Sequence, residues 1–199
     1  MDKELWKPGN MLYPLPAVLI SCQSKEGKNN IVTVAWTGTI CTNPAMVYIS
    51  LRPSRLSYEI IEETKEFVIN LSTEELTRAV DYCGVRSGRQ VDKFKDMNLT
   101  PVPANFVSAP LIQEAPVNIE CRVSQILKLG SHDMFIAEVL GVHADKAYIN
   151  EKGKFELSKA KPIVYSHGEY YGLSDIFGNF GYSVKKKARK STTKKTLES

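Results

Sequence analysis

The sequence has no apolar segment that could serve as a membrane span or a signal peptide. Its hydrophobic runs all fall short of the roughly 20 residues that a membrane-spanning helix requires. Residues 1–10 contain no apolar stretch of the secretory type. We therefore expect a cytoplasmic protein with no membrane association.

Motifs that would identify a nucleotide or metal site are also missing. The chain contains neither the GxGxxG fingerprint of dinucleotide-binding folds nor the GxxxxGK[ST] phosphate loop. Its four cysteines are widely spaced and form no CxxC pair, which argues against zinc and thioredoxin-like sites. We expect no metal site and no disulfide framework, and we interpret Cys22, Cys41 and Cys121 as buried thiols.

Histidines are few, and no catalytic motif accompanies them. His132, His143 and His167 are the three in the chain. Nothing near them resembles a GxSxG nucleophile or a catalytic cysteine. From the residues alone, each histidine is interpreted as structural or solvated, and no residue is assigned a catalytic role.

The positive charge is concentrated at the C-terminus. The net charge is +4, but residues 185–199 hold seven basic side chains and one acidic side chain, so residues 1–184 carry a net charge of −2. Such a tail could bind nucleic acid or remain solvated. We favour the second interpretation, because no aromatic residues are interleaved with the lysines. We expect one domain over 1–184, a basic, disordered tail over 185–199, and no nucleic-acid partner.

Short segments with strand character recur along the chain, separated by turn residues. Residues 117–124 alternate most regularly between apolar and polar side chains, which is typical of a half-buried strand. In that interpretation Asn118 and Glu120 lie on the polar face. The predicted strands cover residues 17–22, 31–40, 47–51, 67–71, 117–124, 134–142 and 163–166.

Three helices are predicted between these strands. The first covers 54–64 with Ser54 as its N-cap. A capping box at 72–75 opens a second helix that ends near Gly84, and a helical turn covers 90–95. Strands outnumber helices and do not alternate strictly with them. This favours a mainly β fold, an antiparallel barrel with peripheral helices, over a doubly wound parallel sheet.

Three segments could carry binding chemistry. Residues 30–39 are rich in small and hydroxyl-bearing side chains, so their backbone could lie against a flat ligand with Trp36 in apolar contact. An ordinary strand explains the same composition. Residues 50–58 combine a strand end, two arginines and a helix start, which indicates either an anion site or simple N-capping beside solvated arginines. Residues 84–94 form a basic, glycine-containing loop that either closes over a ligand or is a mobile surface loop.

The order and spacing of these segments resemble the flavin reductase-like, FMN-binding split-barrel family, most closely its flavoredoxin branch. The resemblance covers residues 14–184 and implies a Greek-key split β-barrel. It also implies a homodimer with FMN held non-covalently near the dimer interface. Ser57 departs from the family, where relatives often have threonine, but the hydroxyl is retained. The matching pieces are 30–38, 55–61, 67–70, 87–89, 92–94, 130–133 and 180–183.

The resemblance further implies a set of cofactor-binding residues. Ser57 and Arg55, with the helix amides, would hold the FMN phosphate. Lys93 would lie near the polar edge of the flavin, and His132 and Tyr165 would complete the pocket from one subunit or the other. The full predicted set is Asn30, Thr33, Val34, Ala35, Trp36, Thr37, Ser50, Leu51, Arg52, Arg55, Ser57, Tyr58, Lys93, His132, Tyr165 and His167.

The implied function is electron transfer through FMN. In one interpretation the protein is an NAD(P)H-dependent flavin reductase that passes electrons to a flavin, a ferric complex or a protein. In a second it is a flavoredoxin-like carrier, reduced by a partner protein and without nicotinamide oxidation of its own. In a third it is a flavin-binding module associated with nucleic acid through its tail. The missing dinucleotide fingerprint fits a nicotinamide that docks briefly, and equally fits none.

Overall fold

The computed structural model describes residues 2–185 and is built mainly from antiparallel strands, as the sequence predicts. The strands are β1 (Leu15–Pro16), β2 (Val18–Gln23), β3 (Asn29–Val34), β4 (Thr37–Thr42), β5 (Ala45–Leu51), β6 (Glu66–Leu71), β7 (Pro101–Val102), β8 (Leu111–Ile112), β9 (Val117–Lys128), β10 (Asp133–Ala144), β11 (Ile163–Ser166) and β12 (Glu169–Gly172). The helices are α1 (Leu56–Thr64), α2 (Thr77–Val85) and α3 (Lys93–Asp96), with 3₁₀ turns at Lys146–Tyr148, Leu157–Ala160 and Tyr182–Val184.

Seven strands form the main sheet in the order β3-β2-β6-β9-β10-β5-β4. β3 and β4 occupy opposite edges of this sheet, although only Ala35 and Trp36 separate them in the chain. The sheet must therefore curve until its edges approach, as in a split barrel. At this joint the Ser50 amide on β5 donates to the Trp36 carbonyl across 2.9 Å. The prediction of one strand over 31–40 is wrong because the chain crosses between the two edges here.

Two apolar layers fill the molecule. One lies inside the barrel and includes Ile20, Phe67 and Phe135, each with no exposed surface. The other lies beneath α2 and includes Leu19 and Val80. Because successive side chains of a strand point to opposite faces, β2 supplies Ile20 to the first layer and Leu19 to the second. Burial of each such side chain favours the folded state by about 1.5–3 kcal/mol. Strand β2 is therefore held by packing on both of its faces.

β9 differs from its predicted half-buried character. Its polar residues Asn118 and Glu120 are buried rather than solvent-facing. The Glu120 carboxylate accepts three backbone N–H groups of residues 105–107 at 2.6–3.2 Å, and it pairs with His143 at 2.6 Å. The Asn118 amide donates to the Ile112 carbonyl at 2.9 Å. A covering segment therefore supplies the partners that water would otherwise provide.

Two predicted helix starts are wrong. The N-cap residue of α1 is Arg55 rather than Ser54, and no side chain caps the helix. The capping box at 72–75 does not form, and α2 begins only after it. Instead, the Glu74 amide donates to the Lys161 carbonyl at 2.9 Å. Tertiary hydrogen bonds thus replace the local capping interaction that the sequence pattern predicts.

Two further elements bear on the sequence predictions. α3 starts at Lys93, later than the predicted turn at 90–95, and Asp92 caps it by accepting from the Lys95 amide at 3.2 Å. β12 pairs with β11 but was not predicted.

The predicted basic tail beyond Lys185 lies outside the described residues. Among the described helices, none combines the length and hydropathy of a membrane span.

Candidate functional site

A cleft opens where the ends of β3 and β5, the start of α1 and the β9–β10 hairpin meet. It consists of two adjoining cavities of about 310 and 200 Å³, which share Val32, Arg52 and Arg55. We call the larger cavity the aromatic chamber; it is lined by Ala17, Val32, Thr33, Val34, Ala35, Trp36, Ser50, Leu51, Arg52, Arg55, His132, Tyr165 and Tyr170. We call the smaller cavity the basic chamber; it is lined by Asn30, Val32, Arg52, Ser54, Arg55, Leu56, Ser57, Arg86, Ser87, Gly88 and Lys93.

Flat side chains line the aromatic chamber. The rings of Trp36 and His132 lie 4.4 Å apart between centroids and are tilted by 46°. Tyr165 on β11 and Tyr170 on β12 form a second pair at 5.7 Å. Trp36 lies here because the chain turns from one sheet edge to the other at this residue. These faces suit an aromatic, planar ligand.

The surroundings of His132 lower the pKa of its imidazole below the ordinary value of 6.5 and so favour the neutral form. Partial burial lowers its pKa, because burial disfavours the charged form, and the nearby charge of Arg52 lowers it further while Asp133 opposes the shift. The His132 Nδ1 atom lies 3.0 Å from the Ser131 hydroxyl. A neutral imidazole can both accept and donate a hydrogen bond, so this side chain adds a polar group without adding charge.

The backbone after β3 forms one wall of the aromatic chamber. The Thr33 hydroxyl donates to the Val80 carbonyl on α2, so this side chain is used in packing. The Thr37 hydroxyl likewise donates to the Tyr48 carbonyl at 2.6 Å. The residues between these two threonines, Val34, Ala35 and Trp36, also line the chamber. Approach of a ligand to their backbone stays a prediction.

The basic chamber carries four cationic side chains and no carboxylate among its lining residues. Because no side chain caps α1, the first N–H groups of this helix are left for other acceptors. The positive end of the helix dipole adds to the field of the cations. A phosphate-sized anion is therefore the ligand that this chamber fits. The cations are Arg52, Arg55, Arg86 and Lys93.

Ser57 is held at the bottom of the basic chamber by Asn30. The Asn30 amide donates to the Ser57 hydroxyl oxygen at 2.8 Å, and both side chains are buried. Since Ser57 accepts this bond, it acts as a donor to any further partner, with the buried Cys22 thiol as one neighbour within hydrogen-bond reach. Gly88 packs directly against the pair: a Cβ at this residue would lie 2.1 Å from the Asn30 side-chain oxygen. Only glycine allows the loop to approach this closely.

Lys93 is a buried cation. It is 4% exposed, and its ammonium donates to the carbonyls of Ile31 at 2.7 Å and Cys83 at 2.8 Å. An ammonium has three N–H donors, so one remains for the chamber. Burial lowers the pKa of Lys93, and Arg55 adds to this effect while Cys83 opposes it. Lys93 thus lines the basic chamber and not the aromatic chamber.

Comparison with known proteins identifies the family. Residues 11–174 match the sequence model described as "Flavin reductase like domain". The chain belongs to this family. An uncharacterized protein of Archaeoglobus fulgidus is 35% identical over 135 residues, which cover 67% of this chain and 75% of the relative.

Two solved structures resemble this family member closely. One is a flavoredoxin of Desulfovibrio vulgaris (Miyazaki F), with 30% identity and a TM-score of 0.86, covering 93% of this chain and 100% of that one. The other is a flavoredoxin from Methanosarcina acetivorans, with 27% identity and a TM-score of 0.81, covering 92% of this chain and 100% of that one. The split-barrel fold predicted from the resemblance is confirmed.

Most of the residues that the sequence assigned to cofactor binding lie in the cleft. β3, the joint after it, the end of β5, the start of α1 and the β9–β10 hairpin bring them together from distant parts of the chain. Those lining one or both chambers are Asn30, Thr33, Val34, Ala35, Trp36, Ser50, Leu51, Arg52, Arg55, Ser57, Lys93, His132 and Tyr165.

Three predicted residues line neither chamber. Thr37 is bonded to β5, as described. Tyr58 is buried, with its hydroxyl on Asp133 at 2.7 Å and its ring 5.2 Å from that of Phe135. His167 is exposed in the β11–β12 turn, where its ring lies 4.1 Å from Tyr13. Contact of these three side chains with a cofactor stays a prediction, because the two cavities do not include them.

Some lining residues were not predicted. Arg86, Ser87 and Gly88 belong to the basic loop that the sequence singled out, and the loop pattern could have found them. Tyr170 had no such signal, because β12 itself was not predicted. Ala17 lines the aromatic chamber from the chain just before β2, and its small apolar side chain carries no functional pattern.

Proposed function

We propose that the cleft binds FMN non-covalently and that the protein is an oxidoreductase that passes electrons through this cofactor. The observation that supports this most is the adjacency of the two chambers in a member of the flavin reductase-like family. FMN joins a flat ring system to a phosphate monoester. A chamber with aromatic walls beside a carboxylate-free chamber with four cations fits both ends of one such molecule.

In this proposal the phosphate is bound at the start of α1. Arg52 and Arg55 supply full charges, and the uncapped helix supplies backbone N–H groups. Ser57 turns its O–H from the neighbouring Cys22 thiol to the phosphate, and Lys93 donates its third N–H. Hydrogen bonds between charged groups are stronger than neutral ones. Most of the difference in affinity between FMN and a flavin without a phosphate therefore arises at the start of α1.

The ring system is bound in the aromatic chamber. Trp36 and Tyr165 provide apolar contact, and the peptide groups of residues 33–36 face the polar edge of the ring. Arg52 lines both chambers, so it, more than Lys93, is placed to favour an anionic reduced ring over a neutral one. When bound, FMN supplies hydride acceptance and onward electron transfer. The protein supplies position, electrostatics and partial exclusion of water.

NAD(P)H is the electron donor in the first version of this proposal, with a flavin, a ferric complex or a protein as acceptor. The family description, a flavin reductase like domain, supports it. Anaerobic mixing of the FMN-loaded protein with NADH or NADPH tests it. We expect rapid bleaching of the flavin absorbance with at least one of them, and unchanged absorbance with both would exclude this version.

The second version is a flavoredoxin-like electron carrier without nicotinamide oxidation of its own. The similarity to two flavoredoxin structures supports it. This version predicts slow bleaching by both nicotinamides and fast reduction by a low-potential protein donor. The same anaerobic experiment, repeated with a reduced ferredoxin-type protein as donor, separates the two versions.

We also propose that the protein is a homodimer. Large apolar side chains are exposed on the two terminal segments, with Trp6 67%, Leu12 85%, Ile176 78% and Phe177 93% exposed. Clusters of exposed apolar side chains often mark protein–protein contacts, and a second copy would cover these. Light scattering on the full chain tests this, and a monomeric mass at micromolar concentration would overturn it.

The remaining assignments follow the same proposal. Residues 1–184 are the flavin-binding domain, and residues 185–199 are a basic tail that is not needed for flavin binding. All four cysteines are unpaired, which suits a reducing, cytoplasmic location. Deleting 185–199 should leave FMN binding unchanged. If the deletion removes retention on a nucleic-acid column, the tail has a nucleic-acid partner after all.

A further inference from the structure

A buried hydrogen bond joins α1 to the β9–β10 hairpin. The Tyr58 hydroxyl donates to the Asp133 carboxylate at 2.7 Å, and the two residues are 5% and 4% exposed. Asp133 also accepts from the Leu129 amide at 3.3 Å and pairs with Lys128 at 3.2 Å. The carboxylate is therefore held by three partners, and two of these belong to the hairpin itself.

Each member of this pair is next in sequence to a residue that lines the cleft. Tyr58 follows Ser57, which lies in the basic chamber at the start of α1. Asp133 follows His132, which lies in the aromatic chamber against Trp36. The pair thus connects the two ends of the cleft from behind, through the core.

Neither side chain of the pair lines the cleft. The Tyr58 ring packs edge-on against Phe135, 5.2 Å away between centroids, inside the barrel core. Lys128 also reaches the Tyr58 hydroxyl and pairs with Glu62 on α1 at 2.9 Å. The hydroxyl is therefore fixed by its surroundings, and the helix and the hairpin cannot shift relative to each other without breaking these bonds.

We propose that Tyr58 and Asp133 are positioning residues that set the spacing between the anion-binding start of α1 and His132 in the aromatic chamber. This inference rests on the proposed binding of FMN across both chambers. A ligand that spans the cleft needs both ends at the correct separation. A ligand that occupies only one chamber does not depend on this separation, because it keeps its contacts when the other chamber shifts.

The test compares ligands that do and do not span the cleft. Tyr58→Phe removes only the hydroxyl, and Asp133→Asn keeps the shape of the side chain. We expect either variant to bind FMN about three- to tenfold more weakly. Tyr58→Phe removes the bond to Asp133 and the contacts of the hydroxyl with Lys128 and Glu62, whereas Asp133→Asn leaves one acceptor oxygen for the two donors Tyr58 and Leu129. Riboflavin and inorganic phosphate, each confined to one chamber, should change by less than about twofold. Tyr82→Phe is the control for the substitution itself, because it removes a tyrosine–carboxylate bond to Asp96 at 2.6 Å that is exposed and lies outside the cleft.

A second readout needs no flavin. In the free protein, NMR titration of the His132 ring should give a higher pKa in Tyr58→Phe than in the wild type, because the ring moves away from Arg52 and into water. The groups that face this ring are Arg52 and Asp133. If His132 titrates as in the wild type, or if FMN and riboflavin weaken by the same factor, the positioning role is wrong. If the wild type binds no FMN, the proposed function fails, while the His132 titration still decides the positioning role.

Discussion

Asn30 on β3 donates a hydrogen bond from its side-chain amide to the Ser57 hydroxyl on α1, across 2.8 Å. The two residues are 27 positions apart in the chain and buried at 5% and 1% exposure. The bond ties the strand edge to the helix start and occupies the Ser57 oxygen as an acceptor, so that Ser57 acts as a donor to any further partner. It therefore fixes the orientation of a donor at the position where the cations converge.

Replacing Ser57 tests the phosphate position. Ser57→Ala removes a donor to a charged group, so we expect FMN affinity to fall about tenfold. Riboflavin lacks the phosphate and should bind as it does to the wild type. Quenching of flavin fluorescence measures both constants, and Ser124→Ala in β9 serves as control. Equal losses for the two flavins would contradict a phosphate at Ser57.

Replacing Gly88 tests the close approach of the basic loop. A methyl group at this residue would lie 2.1 Å from the Asn30 side-chain oxygen, so Gly88→Ala must displace Asn30 or the loop. We expect FMN affinity to fall about as much as in Asn30→Ala. Gly9→Ala is the control, since its nearest neighbour would be a carbonyl 3.8 Å away. Calorimetric titration of both variants with FMN makes the comparison, and wild-type affinity in Gly88→Ala would show that the loop is loosely placed.

Replacing Lys93 tests its buried charge through the pH dependence of stability. Its folded pKa lies below the ordinary value of 10.5 because burial disfavours the ammonium. Between these two pKa values the unfolded chain binds more protons than the folded chain, so stability must rise with pH in that window. Urea unfolding should therefore show the wild type gaining stability relative to Lys93→Met as pH rises toward 10.5. Lys95→Met, at an exposed residue of α3, should show no such gain. A constant difference between wild type and Lys93→Met would mean that Lys93 titrates normally.

Replacing Glu120 separates stability from binding. Burial alone would raise its pKa, but the bonds from His143 and from the amides of Asn105 and Phe106 hold the pKa below the usual 4.5. Its stabilising effect is thus present above pH 4.5 and lost as pH falls through the folded pKa. We expect Glu120→Gln to lower the free energy of unfolding by about 2 kcal/mol at pH 7, and by less at pH 4, in urea titrations. FMN affinity should not change, since Glu120 lines neither chamber, and a large loss of affinity would contradict this separation.

The local parts of this site could be predicted from the sequence. The alternation of Val47, Ile49 and Leu51 indicates a strand, and the arginines after it indicate either an anion site or solvated caps at the next helix. The structure contains the strand, and both arginines line the basic chamber at the start of α1. The parts of the site that depend on contacts between distant segments could not be predicted. Trp36 reaches the cleft because the two sheet edges meet there, and Glu120 is buried because residues 105–107 cover it. Neither relationship leaves a periodic signal in the chain.

The family resemblance points to FMN, whereas the chemistry of the individual residues does not identify the cofactor. Arg52, Arg55 and the start of α1 indicate a phosphate-sized anion, and Trp36 indicates a flat ligand. No residue pattern distinguishes a flavin from another planar phosphate ester. Thr37, Tyr58 and His167 belong to the same predicted set, and their side chains line neither chamber of the cleft.

Titration of the flavin-free protein with FMN and with riboflavin tests the central claim most directly. The account predicts one FMN bound per chain, at least about tenfold more tightly than riboflavin because only FMN reaches the cations of the basic chamber. The protein as purified should also be yellow and should release its flavin on heating or in acid. A colourless protein that binds no added FMN would contradict the account.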